Sequence, residues 1–198
     1  MKKIPTLFKR VFEGHKIIGI TPEIAEGCEK AFLHGKATIK IDGSCCAIID
    51  GAFYKRYDAK KGKPVPDGAI KCQEEPDPIT GHLPCWVRVN SKNPADKWFY
   101  EAIVNVTNDF EHLLFDGTYE AVGPHFQGNP YNIDFDFLIA HGEDNIDDLP
   151  RTFEGVREWL ATHNEEGIVF WLDGKPVCKI KRSDFGLEWP VKEDKSNE

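Results

Sequence analysis

Apolar and polar residues alternate in short runs along most of the chain, and turn dipeptides separate the runs. Ala37-Thr38-Ile39-Lys40-Ile41 and Cys45 to Ile49 read as two strands around the turn residues Asp42-Gly43. Asp50-Gly51 marks a second turn, with Ala52-Phe53-Tyr54 as the strand behind it. Gly117 to Val122, Phe135 to Ala140, Gly167 to Leu172 and Pro176 to Ile180 are further strands, the last two joined at Asp173-Gly174 as a hairpin. Three- and four-residue spacing predicts a helix over Asp96 to Leu114, with Phe99, Ile103, Val106 and Phe110 on its buried face. The same spacing predicts a helix from Thr152 to His163, with Phe153, Val156, Trp159 and Leu160 inward and Thr152 as its N-cap. Thr21-Pro22 is expected to open a third helix through Ile24, Cys28 and Phe32, with Pro22 in its first position. Lys61 to Asn93, rich in Pro and Gly, reads as a long loop, and loops of that length usually bind something. Hairpins with inserted helices imply an α+β fold of antiparallel sheets with flanking helices, not a doubly wound parallel sheet.

The chain has 198 residues, which suits one domain, expected over 1–190, and a polar tail over 191–198. No apolar run approaches the ~18 residues of a membrane span, so no membrane partner is expected. Cys28, Cys45, Cys46, Cys72, Cys85 and Cys178 include one adjacent pair that suits no simple disulfide framework. No apolar core follows the basic N-terminus as in a secretion signal, so reduced thiols and a cytoplasmic location are expected. The net charge of −8 argues against a nonspecific nucleic-acid coat. It leaves room for a local basic groove, and the positives do cluster: Lys55, Arg56, Lys60, Lys61 and Lys63 in one group, Lys175, Lys179, Lys181 and Arg182 in another. Either group alone reads as a solvated face.

Six segments carry residue types suited to chemistry. In Lys40-Ile41-Asp42-Gly43 a lysine at a strand end sits beside a tight turn. Such an amine is a nucleophile once deprotonated, which needs burial or neighbouring cations. Arg56, in Tyr54-Lys55-Arg56-Tyr57, offers a planar donor fork for phosphate or ribose oxygens. Glu120 lies in an apolar stretch and requires a partner: a lysine, backbone amides, a ligand hydroxyl or a metal. The aromatics of Phe135-Asp136-Phe137-Leu138-Ile139-Ala140 read first as core. Glu165-Glu166 at the head of an apolar strand suits a hard cation such as Mg²⁺. In Cys178-Lys179-Ile180-Lys181-Arg182 the alternation puts Lys179 and Lys181 on one face, where an anion relieves their repulsion. Those two lysines also lower the pKa of a third lysine placed near them. A zinc module from Cys72, His82 and Cys85 is a weaker alternative, since three ligands at that spacing match no common finger.

Each segment is ordinary alone, but their order resembles the covalent nucleotidyltransferase superfamily of polynucleotide ligases and capping enzymes. The resemblance is to a Lys-x-Asp-Gly motif followed by an arginine motif, a Glu strand, an aromatic strand, Glu-Gly and Lys-x-Lys, across Lys40 to Arg182. Ile4-Pro5-Thr6-Leu7-Phe8, Lys40-Ile41-Asp42-Gly43-Ser44-Cys45-Cys46, Phe53-Tyr54-Lys55-Arg56-Tyr57-Asp58 and Gly117-Thr118-Tyr119-Glu120 are similar to the vertebrate-type ATP-dependent 5′-to-3′ RNA ligases. So are Gly81-His82-Leu83-Pro84, Gln127-Gly128-Asn129-Pro130 and Glu166-Gly167-Ile168-Val169-Phe170.

The resemblance implies the adenylation domain of a ligase, with ATP as AMP donor and Mg²⁺, or Mn²⁺ in its place, as cofactor. Its substrate would be RNA with 5′-phosphate and 3′-hydroxyl ends. Lys40 would attack the α-phosphate and carry AMP. Glu120 would hold the ribose hydroxyls, Arg56 the ribose or a phosphate, and Glu166 the metal. Lys179 and Lys181 would grip the α-phosphate and lower the pKa of Lys40. Asp42 and Gly43 would shape the turn, and Phe137 and Val169 would sandwich the adenine. Ile39 stands where many relatives carry an acid that reads the adenine amino group, so backbone groups would read it here. No room is expected after Lys181 for the C-terminal domain of capping enzymes and large DNA ligases. The alternatives are a nucleotide or RNA-end sensor without turnover, or a ligase that seals nicked DNA or uses another nucleotide.

Overall fold

The computed structural model describes residues 1–109 and 115–191. In chain order its elements are β1 (Phe8–Glu13), β2 (Lys16–Ile24), α1 (Glu29–His34), β3 (Lys36–Lys40), β4 (Ser44–Ile49), β5 (Ala52–Ala59) and β6 (Ile70–Lys71). They continue with β7 (Leu83–Arg88), α2 (Lys97–Asp109), β8 (Gly117–Val122), β9 (Phe137–Ala140), α3 (Phe153–Thr162), β10 (Gly167–Leu172) and β11 (Lys175–Lys181). Every ladder between these strands is antiparallel, so the α+β class expected from the pattern is the one observed. The residues fall into two compact units: Met1–Lys3 with Asp42–His141, and Ile4–Ile41 with the residues from Gly142 onward. No helix among the described residues is long and apolar enough to cross a membrane.

The second of these units contains a three-stranded sheet in the order β11-β10-β3. The turn between β10 and β11 is Asp173-Gly174, at φ 50° and 70°, as a tight hairpin requires. Ile168 and Phe170 of β10 face the same way as Ile180 and Cys178 of β11 and Ala37 of β3, and all five are buried. Ala31 and Phe32 of α1, Val156 and Leu160 of α3, and Leu7 and Phe8 join this core. The α3 boundaries follow its expected pattern, and the Thr152 hydroxyl accepts a hydrogen bond from Gly155 N–H at 3.0 Å.

The helix expected from Thr21-Pro22 is instead the end of β2. Phe8 pairs with Ile24 and Arg10 with Ile20, and the register shifts between them, where Pro22 lies. A residue without an N–H is tolerated at such an irregularity, so Pro22 ends no ladder and starts no helix. Helix α1 begins only at Glu29, behind Cys28.

The other unit contains a six-stranded sheet in the order β6-β7-β5-β4-β8-β9. Asp50 and Gly51 form the β4–β5 turn at φ 50° and 69°, and the Asp116 carboxylate accepts from both of their N–H groups at 2.7 and 3.0 Å. The strands flanking Asp42-Gly43 both exist, but they do not pair with each other. Strand β3 pairs with β10, and β4 pairs with β5 and β8, so this turn dipeptide joins two sheets rather than closing a hairpin.

The segment Lys61 to Asn93 is not a structureless loop, since it contains β6 and β7. Leu83, Pro84, Cys85 and Trp86 are buried and pair along β5, which runs on to Ala59. Pro84 hid this strand, yet its carbonyl still accepts from Cys72 N–H at 2.9 Å. Helix α2 starts at Lys97 behind a 3₁₀ turn over Pro94–Asp96. Ala102 and Val106 of α2 bury against Cys46, Tyr119, Ala121 and Leu138, with Phe99 and Ile103 packed beside them. The expected continuation through Phe110 to Leu114, and the tail beyond Val191, lie outside the described residues. Strand β9 starts at Phe137, two residues later than expected, and Phe135 is exposed.

Leu160 is fully buried, so Leu160→Ala should lower unfolding free energy by about 2–5 kcal/mol in urea melts. Thr152→Ala removes only the cap and should cost about 1 kcal/mol in the same measurement.

Candidate active site

Strand register builds a row of lysines. Gly167 of β10 lies opposite Lys40 of β3 on one side and Lys181 of β11 on the other. Val169 lies opposite Thr38 and Lys179 in the next row. Paired residues share a face, so Lys40, Lys179, Lys181 and Val169 lie on the side of the sheet opposite Ile168 and Ile180. Gly167 can only be glycine here, because a Cβ would come 2.2 Å from the Ile180 carbonyl oxygen.

Glu166 precedes Gly167, and its carboxylate closes the row. One oxygen accepts a hydrogen bond from Lys40 Nζ and the other from Lys181 Nζ. Its side chain is 5% exposed, a position a carboxylate holds only when paired. Lys40 Nζ also lies 3.3 Å from the Ile41 carbonyl oxygen. Lys179 is held below the ordinary lysine range. Burial comes first, then the charges of Lys40 and Lys181, and together they push it down to about 8.

Arg10 of β1 adds to the positive charge around Lys179. Its Nη2 lies 3.2 Å from Asp184 Oδ1, and the other Asp184 oxygen accepts from Lys181 N–H at 3.0 Å. The Arg10 Nε is a buried donor with no hydrogen-bond partner among the described residues. Four cations therefore face two carboxylates, and one donor is unused. This set suits a phosphate group. Its single central carboxylate is no cage for a free divalent ion. It does fit Mg²⁺ carried on nucleotide phosphates, which keeps its own waters and needs only one or two protein carboxylates.

Ile39 takes no part in that face. Its side chain packs against the core, and its N–H donates to the Asp144 carbonyl at 2.9 Å. The remaining expected residues belong to the other unit. Register places Glu120 of β8 opposite Cys45 of β4. The partner a buried carboxylate requires is His141, whose Nε2 is 2.7 Å from Glu120 Oε2. His141 Nδ1 lies 3.0 Å from the Thr118 hydroxyl. Burial, and then the charge of Glu120, push the Cys45 thiol up to about 12. Asp42 N–H donates to Tyr131 Oη at 2.7 Å. A Cβ on Gly43 would fall 2.2 Å from the Ala121 carbonyl oxygen and 2.9 Å from Glu120 Cγ, so only glycine lets the chain pass β8.

The Arg56 fork is engaged within the protein: Nε donates to Asp58 at 2.7 Å and Nη1 to the Met1 carbonyl at 2.9 Å. Phe137 packs against the core beside Phe135, ring centroids 5.5 Å apart. The structure thus groups Lys40, Glu166, Lys179, Lys181 and Val169 in one unit, and Asp42, Gly43, Arg56, Glu120 and Phe137 in the other. His141 was not foreseen from the sequence. Cys72, His82 and Cys85 do not assemble as a metal site. Among the described residues the one such group is Cys45, Glu120 and His141.

The family model described as RNA ligase 1 matches residues 102–198. The chain is 27% identical over 165 residues to RNA ligase 1 of Danio rerio, an alignment covering 69% of this chain and 47% of that protein. It is 26% identical over 254 residues to RNA ligase 1 of Rattus norvegicus, covering 92% of this chain and 77% of the relative. RNA ligase 1 of Pongo abelii is 27% identical over 170 residues, again with 69% and 47% covered. The chain is similar to these proteins at 26–27% identity. It spans about half the length of the Danio rerio and Pongo abelii relatives.

Lys179 holds its proton to about 10.5 in the unfolded chain but to about 8 when folded. The unfolded state therefore binds more protons between these values, and stability rises with pH across that window. Lys179→Met should flatten that rise when urea unfolding at about pH 8 and about pH 10 is compared. Pyrophosphate should stabilise the native protein at neutral pH, and less so the variant.

Proposed function

We propose that the chain is an ATP-dependent RNA ligase that joins 5′-phosphate and 3′-hydroxyl RNA ends through an adenylate on Lys40. The observation that carries this reading is the Glu166 carboxylate held by Lys40 and Lys181 beside Lys179. Similarity to proteins named RNA ligase 1 supports the substrate class.

Lys40 attacks as the free amine, its proton passing to solvent, while the Glu166 carboxylate that accepts its hydrogen bond positions it. Nζ then bonds to the α-phosphorus of ATP as the bond to pyrophosphate breaks. A 5′-phosphate oxygen of RNA next displaces the lysine and takes AMP. Finally the 3′-hydroxyl attacks the activated 5′-phosphate, and AMP leaves. Lys179, Lys181 and Arg10 neutralise phosphate charge and align each in-line displacement. Mg²⁺, or Mn²⁺ in its place, supplies further charge neutralisation on the phosphates when bound, with Glu166 its carboxylate contact. The roles of Glu120 and Arg56 at the ribose, of Asp42 and Gly43 at the turn, and of Phe137 and Val169 at the adenine rest on motif resemblance. Cytoplasmic RNA with broken ends is the proposed substrate pool.

With ATP labelled at the α-phosphate and Mg²⁺, the protein should acquire an acid-labile label that Lys40→Ala abolishes. Retention of label by that variant, or none on the wild type, refutes the reading. Lys181→Ala should slow labelling by about 10²-fold or more, as loss of one charge-stabilising donor does elsewhere. Label that forms but never passes to joined RNA would instead identify an RNA-end sensor.

A further inference from the structure

The ligase reading leaves Cys45 and His141 without a task, and treats Glu120 as a ribose ligand only. We propose that Cys45, Glu120 and His141 form a binding site for a borderline divalent cation of the Zn²⁺ type. The proposal goes beyond the ligase reading.

Strand geometry assembles the three donors. Cys45 and Glu120 are register partners on β4 and β8. His141 follows β9, and its N–H donates to the Thr118 carbonyl at 3.0 Å, which lays its ring along β8. The Cys45 sulfur, a Glu120 oxygen and a His141 nitrogen all lie within 4.8 Å of one another. A tetrahedral ion with bonds of about 2.0–2.3 Å spaces its ligands by roughly 3.5 Å, so modest rotamer shifts suffice. The donor chemistry selects the ion: thiolate and imidazole favour Zn²⁺ or Co²⁺ over Mg²⁺.

The outer support is also present. His141 Nδ1 is 3.0 Å from Thr118 Oγ1, so that nitrogen can donate to the hydroxyl while Nε2 faces Glu120 and the ion. This second contact sets the tautomer that metal-ligating histidines use. Three protein ligands leave a fourth position for water, as at open zinc sites. When the metal–sulfur bond forms, the thiol proton passes to solvent.

Titration of the full chain with Co²⁺ tests the site without ATP or RNA, so its failure leaves the ligase reading standing, and the reverse holds too. The wild type should bind one Co²⁺ with thiolate-to-cobalt charge-transfer absorption, and Zn²⁺ should displace it. Cys45→Ser should remove that absorption while Cys72→Ser retains it. His141→Ala and Glu120→Gln should each lower affinity, and Thr118→Val should weaken it about tenfold. Circular dichroism checks folding of each variant. Undiminished charge transfer in Cys45→Ser, unchanged affinity in folded His141→Ala and Glu120→Gln, or no Co²⁺ binding by the wild type overturns the proposal.

Discussion

One buried carboxylate organises the chemistry of the chain. Glu166 sits 5% exposed at the head of β10, with an ammonium group on each of its oxygens. Removing a carboxylate from water costs several kcal/mol unless strong partners replace the solvent, and two lysines do so here. The arrangement works only because Gly167 lets β10 and β11 approach closely, and because register places Lys40 and Lys181 at equal height on either side. Four cations, Lys40, Lys179, Lys181 and Arg10, then face only two carboxylates, Glu166 and Asp184. Lys179 responds by giving up its proton more easily than a solvated lysine does.

That surplus is what makes the face useful. A phosphate entering it would meet Lys179 and Lys181, and would compete with Glu166 for the ammonium groups. Local architecture thus reconciles an acidic chain with a locally basic face. Net charge describes solubility and long-range field, whereas recognition depends on the few groups that register brings within hydrogen-bonding reach.

A second polar cluster has its own logic. Glu120 is buried on β8 with His141 and Cys45 beside it, and Thr118 supports the histidine. Here the charge is held by a neutralisable partner rather than by lysines. The same residue type, glutamate on an apolar strand, therefore serves two environments of opposite character. One suits an incoming anion and the other an incoming cation.

Much was legible in the residues themselves. Period-two runs ended by Asp-Gly located β4, β5, β10 and β11, and spacing of apolar residues located α2 and α3, because these signals act over neighbours in the chain. The side of β11 that carries Lys179 and Lys181 followed from alternation alone. Less local facts were not legible. Pro22 concealed a strand that pairs with its neighbour β1 across a register shift, Pro84 concealed one whose partner β5 lies beyond a long connection, and Asp42-Gly43 looked like a hairpin turn until β3 and β4 joined different sheets. No spacing rule announced that Glu166 would meet Lys40 across 126 residues, or that His141 would meet Glu120. Sequence determined which segments are strands and helices and which residue types could do chemistry, since both depend on short-range geometry. Tertiary structure alone decided which charges became neighbours, because strand pairing is chosen by burial of the whole core and not by any one segment.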